Sequence, residues 1–452
     1  MVAALFAAAL ALARAEDAGA ADACALITEL HPTHAKAWAL RSLLALAASR
    51  VELAVAHAER AVAAKPALPA ARCALARALT ERAAQLLAEK PQPCDGSDDD
   101  GSFDDDERRR RRRDALELVS KAASCSETRS EAAQYYYRLA RAARSARDCA
   151  TACAALERCL ELEPFHERAA FWLAALRPDA RHSAPPAHAP LAHVKGLYDG
   201  YADRYDAHLT TALRSRTPEL VASALALALK RLGQLRCGGE HDDGADALLL
   251  LSPSSSSSSH QIICDDGGAP THSLRQVLDL GCGTGLSGAA LRAALSSRVS
   301  LTGVDLSKAM CERAELRGCY DDVRQGELVA TLRNAPKSSA DALACADVLV
   351  YAGDLAPFFS AARHAASDKA LLAFSLEDRL HPAPNKTQEA HDRGWDLAHT
   401  GRYRHAPHYA VQAATAHAWH LISLQPHVLR QNAGEPVAGH IFVFQAALQP
   451  LI

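Results

Sequence analysis

Residues 277–285 read VLDLGCGTG: an apolar run broken by Asp279, then glycines at 281, 283 and 285. Glycine gives up the most conformational entropy on folding, so three of them after a buried strand need a reason. A turn that takes unusual dihedrals, or a ligand that must approach bare backbone, is such a reason. A helical stretch follows from Leu286 to Leu295, and a second strand pattern, VSLTGVD, at 299–305. A helix around 307–317 comes next, then strand patterns DALACA (341–346), ALLAFSL (370–376), HLISLQPHVL (420–429) and HIFVFQAAL (440–448). Strands alternating with helices imply a mostly parallel, doubly wound sheet. The last two runs lie close enough in sequence to form an antiparallel hairpin at one edge. In such sheets ligands bind beyond the carboxyl ends of the strands, where the three glycines fall.

The chain has 452 residues, too many for one core and suited to two domains plus insertions. A net charge of −3 gives no global field toward nucleic acid or a membrane surface. No aromatic–basic interleaving supports RNA or DNA binding, and no apolar stretch is long enough to span a bilayer. The 13 cysteines form no CxxC pair, and Cys149 and Cys153 lack partners at zinc spacing, so no metal site is expected. Reduced thiols packed as small hydrophobes imply a reducing, cytoplasmic setting. The opening MVAALFAAALALARAED lacks a positive n-region and reads as an amphipathic helix rather than a cleaved signal.

Residues 1–178 are repetitive and rich in alanine. Pro32 and Pro66 stand 34 residues apart, each closing a segment of two helical patterns. Ala54, Ala58 and Ala61 leave room for close helix approach. A later copy, ACAALERCLELEP, ends at Pro164. The spacing resembles tetratricopeptide repeats, which must stack to bury their apolar faces. An insert at about 91–113 runs from aspartates through Glu107 into six arginines and reads as a solvated, disordered loop. The arginine cluster is also the one feature that suggests a nuclear address. A Pro/His/Ala linker covers 179–190, and a serine-rich insert covers about 237–273.

Asp305 ends the second strand 20 residues beyond Gly285, where an acid can accept hydrogen bonds from ribose hydroxyls. The third glycine is early for a dinucleotide fingerprint, and Asp279 before the turn suits a cationic ligand better than a pyrophosphate. DLGCGTG resembles motif I, D/E-x-G-x-G-x-G, of class I S-adenosylmethionine-dependent methyltransferases. LYDGYADRYDAHL (197–209), VDLSKAM (304–310) and ADVLVYAGDL (346–355) resemble the preceding helix, the second motif and the fourth. GRYRHAPHY (401–409) and GEPVAGHIFVF (434–444) resemble the closing segments of a bacterial-type subgroup preceded by tetratricopeptide repeats. The likeness covers about 191–448, and more loosely 1–178. It departs at the serine-rich insert and at Glu327, where the family usually has aspartate.

The resemblance implies a Rossmann-like α/β domain with a seven-stranded sheet over 191–452, behind an all-α repeat domain. It implies S-adenosylmethionine as cofactor. Gly281, Gly283 and Gly285 would face its methionine part, Asp279 its amino group, Asp305 and the adjacent Leu306 its ribose, and Glu327 its adenine. Tyr201 and Tyr205 would close over it from the preceding helix. Asp347 and Tyr351 follow the fourth strand, where the fold places groups near the transferred methyl. His405 or Asp347 is the candidate base, and Arg402, Tyr403 and Tyr409 are the candidate acceptor contacts. The acceptor reads as a small molecule ahead of a protein, with the repeats free to hold a peptide or partner. The rival reading is a non-catalytic scaffold with a vestigial or cofactor-sensing sheet domain.

Overall fold

The computed structural model describes residues 2–17, 19–89, 102–177, 185–237, 274–295, 299–379 and 393–448. The chain divides into two compact units, Met1–Arg177 and Pro178–Ile452.

The first unit is helical: α1 (Val2–Arg14), α2 (Gly19–Leu30), α3 (Ala35–Ala47), α4 (Val51–Ala64), α5 (Pro69–Ala88), α6 (Ser102–Ser124), α7 (Arg129–Ser145), α8 (Cys149–Leu162) and α9 (Glu167–Leu176). Successive helices pack in pairs, α1 on α2, α3 on α4, α5 on α6 and α7 on α8. The alanines explain the close packing: Ala37, Ala54, Ala58 and Ala61 are fully buried. Turn chemistry repeats too. His34 and His166, each two residues after a proline, cap α3 and α9 by accepting the N–H of Ala37 and Ala169. The arginine run corrects the loop expectation. Arg108–Arg113 lie within α6, where Arg111 donates to the Glu89 carbonyl at 2.6 Å and Arg112 pairs with Asp148 at 2.8 Å. Local acids and a carbonyl neutralise the run, so it holds a helix in place. Residues 91–101 of that insert, and 238–273 of the serine-rich one, lie outside the described residues. Among the described residues no helix is long and apolar enough to cross a membrane.

The second unit opens with α10 (Leu191–Asp199), α11 (Ala202–Ala207), a π-helical turn at His208–Ala212 and α12 (Thr217–Cys237). Then come β1 (Gln276–Leu280), α13 (Leu286–Ala294), β2 (Ser300–Asp305), α14 (Lys308–Arg317), β3 (Asp322–Gln325), α15 (Leu328–Asn334), β4 (Ala340–Cys345), α16 (Ala356–Ala365) and β5 (Ala366–Glu377). A short ribbon, β6 (Trp395–Leu397) and β7 (Tyr403–His405), leads into α17 (Pro407–Thr415), β8 (Trp419–Asn432) and β9 (Glu435–Ala446). The seven-stranded sheet has the order β3-β2-β1-β4-β5-β9-β8, with parallel pairing as far as β5 and antiparallel pairing beyond it. The expected edge hairpin is there: β9 inserts beside β5, and β8 forms the edge.

The strands carry apolar residues on both faces, as a covered sheet requires. Val277, Leu301, Ala342, Leu371 and Val443 pack with α12 and α13. Leu278, Leu343, Phe374, Phe442 and Phe444 pack with α16 and α17. Phe374 stacks on Phe442 and Phe444 at centroid distances of 5.0 and 5.8 Å. The linker expectation needs correction at its end. The N–H groups of Gly353 and Asp354 donate to the Ala187 carbonyl, and the Ala189 N–H donates to the Tyr351 carbonyl, so 187–189 belong to the second unit.

Candidate functional site

The strand order reverses at β1, which has β2 on one side and β4 on the other, and a crevice opens beyond the strand ends there. A cleft of about 480 Å³ occupies it. Its lining includes Gly281 and Gly283 after β1, Asp305, Leu306 and Ser307 after β2, and Glu327 and Leu328 after β3. Asp347, Val348 and Tyr351 follow β4, and Tyr198 and Tyr205 come from α10 and α11.

The glycine turn is built for close approach. Gly281, Gly283 and Gly285 take φ of +75°, +54° and +92°, dihedrals that strain other residues. A Cβ on Gly281 would overlap Val348, whereas one on Gly283 would meet nothing nearer than the Tyr205 ring at 3.8 Å. Gly285 does not border the cleft. It packs under Arg317 and Tyr320, so its part is the backbone turn alone.

Asp305 ties the second strand to that turn. Its Oδ2 accepts the Gly283 N–H at 2.9 Å and its Oδ1 accepts the Ser307 N–H at 2.8 Å. Burial raises its pKa, while the two backbone donors act in the opposite sense. Leu306 lines the cleft beside it. Glu327 also borders the cleft, but its carboxylate caps α15, accepting from Val329 and Ala330 at 2.9 and 2.6 Å. Both oxygens hold a helix start, which fixes this carboxylate at the cleft wall.

Asp279 is corrected as well. It shares the β1 face of Val277, against α13, and is fully buried away from the cleft. Its Oδ2 accepts from the Ser287 hydroxyl and the Tyr320 hydroxyl, both at 2.5 Å. Burial lifts its pKa to about 6 against those donors. Tyr320, unremarked in the sequence, lies against Gly285, Gly288 and Gly303, where any Cβ would crowd its ring.

Asp347 stands at the end of β4 with a left-handed φ of +59°, rare for a residue with a side chain and often a mark of function. The Ser375 hydroxyl accepts its N–H at 2.9 Å. Its Oδ1 pairs with Arg402 at 2.6 Å and Arg430 at 3.4 Å, and both arginines pair with Glu377 at 2.7 Å. Two cations and two anions close a buried ring behind the cleft wall. Tyr351 borders the cleft, and its hydroxyl lies 2.9 Å from that of Tyr198.

The remaining expected residues fall outside the cleft lining. His405 is buried, its Nε2 sits 3.1 Å from the Gly353 carbonyl, and burial lowers its pKa to about 4. It does not line the cleft, and its burial argues against a role as general base there. Arg402 serves Asp347 and Glu377 rather than an acceptor. Tyr403 is buried and donates to the Pro186 carbonyl at 2.6 Å. The Tyr409 hydroxyl accepts the Leu355 N–H and donates to Asp354. Tyr201 turns its hydroxyl to His208 and does not border the cleft; Tyr198 takes the place expected of it. Among the described residues no cluster could hold a metal ion.

Residues 278–372 match the family model of a methyltransferase domain. No curated protein matches the chain. Among solved structures it is similar to an S-adenosylmethionine-dependent methyltransferase from Methanosarcina mazei, at 17% identity over 39% of this chain and 95% of that one, TM-score 0.32. It is also similar to one from Mesorhizobium loti, at 20% identity over 38% and 90%, TM-score 0.31. The family match falls on the glycine turn, Asp305 and the strands that carry them. Within the second unit, the match to a methyltransferase domain covers 278–372.

Proposed function

We propose that this methyltransferase domain transfers the methyl group of S-adenosylmethionine to a small-molecule acceptor. The carrying observation is the bond between Gly283 and Asp305 in the cleft lining, with nothing nearer than the Tyr205 ring, 3.8 Å from where a Gly283 Cβ would lie. When bound, the cofactor supplies a methyl group already activated on a sulfonium. Gly281 and Gly283 would hold its methionine part, and Asp305 with Leu306 its ribose.

The protein then has to orient and to exclude water. Tyr198 and Tyr205 wall the cleft with two rings 6.0 Å apart. Asp347, fixed by Arg402 and Arg430, is the carboxylate positioned to accept a proton from an acceptor that arrives protonated. Ala187–Ala189 and α10 wall the same cleft, which favours a compact acceptor over a polymer. The helical unit, with its alanine-faced pairs and 34-residue spacing, resembles a tetratricopeptide array and suits a peptide or protein partner. A cytoplasmic setting agrees with the free thiols among the described residues.

The test is methyl transfer itself. Methyl-labelled S-adenosylmethionine, incubated with the protein and separated metabolite and protein extracts, is expected to label the metabolite fraction. Label in protein alone would overturn the small-molecule reading. Cofactor binding with label in neither fraction would favour a cofactor-sensing scaffold.

A further inference from the structure

The segment that carries Tyr198 and Tyr205 has almost no apolar anchor. No residue of α10 is fully buried, and in α11 only Ala202 is. Polar contacts therefore decide where it lies. Three aspartates, Asp199, Asp203 and Asp206, recur at spacings of four and three, and each meets α14 or the glycine turn. Asp199 accepts from the Ser307 hydroxyl, the N-cap of α14, at 2.6 Å. Asp203 pairs with Arg313 in the second turn of that helix. Asp206 accepts from the Thr284 hydroxyl at 2.5 Å and pairs with Arg317. Arg317 Nε in turn donates to the Thr284 carbonyl at 2.8 Å. Thr284 sits between two glycines of the cofactor turn and is 2% exposed. Asp206, Thr284 and Arg317 thus join the tyrosine-bearing segment to the turn itself.

We propose that Asp199, Asp203 and Asp206 are positioning residues: they dock 198–207 on α14 and the glycine turn, and so set Tyr198 and Tyr205 against the bound cofactor. The proposal rests on the cofactor reading above. Exposed ion pairs are individually weak, so each is expected to matter by a factor of about two to five, and the buried Thr284 contact by more.

Asp203 and Arg313 suit a charge swap, because neither touches the cleft. Two readouts are taken on the full chain: S-adenosylhomocysteine affinity by calorimetry, and hydrogen exchange of 198–207 without ligand. Asp203→Arg is expected to weaken binding about five-fold and to speed exchange there. The double variant Asp203→Arg/Arg313→Asp is expected to return both to within about two-fold of the parent. Asp206→Asn is expected to weaken binding about ten-fold. Unchanged exchange in Asp203→Arg, unchanged affinity despite faster exchange, or a swap no better than the single variant would each overturn the proposal. If the parent chain itself binds no S-adenosylhomocysteine, the cofactor reading falls, and exchange alone still decides whether the aspartates hold the segment.

Discussion

Gly281 and Asp279 lie two residues apart and answer to different constraints. Gly281 combines a φ of +75° with Val348 packed against the space a Cβ would fill. Gly281→Ala should cost about 2–4 kcal/mol in chemical denaturation, from strain plus overlap. Asp279 is held as a buried carboxyl whose folded pKa, about 6, exceeds the ordinary value of 3.8. A raised folded pKa means that stability is fully present below pH 4 and lost as pH rises through 6. The cost of Asp279→Asn, relative to the parent, should therefore fall by about 3 kcal/mol between pH 4 and pH 7. His405 has the opposite sense. Its folded pKa of about 4 lies below 6.5, so its contribution is present above pH 6.5 and lost on acidification toward 4. Paired denaturation series on Asp279→Asn and His405→Gln, each against the parent, should bend in opposite directions. At this scale the sequence was legible for the placement of Gly281, Gly283 and Asp305 at the cleft, because the glycine turn and the end of β2 are marked by local pattern. It was misleading for Arg402, Tyr403, His405 and Tyr409. Polarity in a row of residues looks alike whether it faces a ligand or the interior. Their partners at Pro186, Gly353, Asp354 and Glu377 lie at least 20 residues away in the chain.

Each strand and helix of the sheet domain follows from local pattern, and local chemistry sets its ends. Glu327 caps α15 with both oxygens, so Glu327→Ala should cost about 1 kcal/mol of stability. It should change S-adenosylhomocysteine affinity by less than about three-fold; a larger loss of affinity would return Glu327 to the cofactor. The β8–β9 turn places Ala433 at φ +51° and Gly434 at φ +88°, the dihedrals of a tight hairpin turn that asparagine–glycine serves best. Ala433→Asn should stabilise the protein by about 0.5–1 kcal/mol, read as a higher Tm. The strand series and the edge hairpin were legible because apolar runs and turn residues are written locally. The β6–β7 ribbon was not, since three-residue strands carry too little period to register. Helix α6 was hidden by its charge, because arginine repulsion is relieved by Glu107, Asp148 and the Glu89 carbonyl, of which only Glu107 is nearby in sequence.

The whole molecule comprises a helical unit and a sheet unit, and the cofactor reading belongs to the second alone. All lining residues of the cleft fall between Ala187 and Phe358. Saturating S-adenosylhomocysteine should therefore slow hydrogen exchange within 185–448, most of all at 198–207 and 281–285. Slowing centred in 2–177 would place the ligand elsewhere. The change from alanine-rich helical patterns over 1–178 to strand patterns from 277 could be read from composition. The participation of 187–189 in the cleft could not, because it depends on backbone bonds to Tyr351, Gly353 and Asp354. The most direct test of the central claim is calorimetric titration of S-adenosylhomocysteine into the parent chain and into Asp305→Ala. Asp305 ties β2 to the glycine turn and lines the cleft, so under the proposed function saturable binding by the parent should weaken at least about ten-fold in the variant. No binding by the parent, or equal binding by both, would contradict the assignment of the cleft.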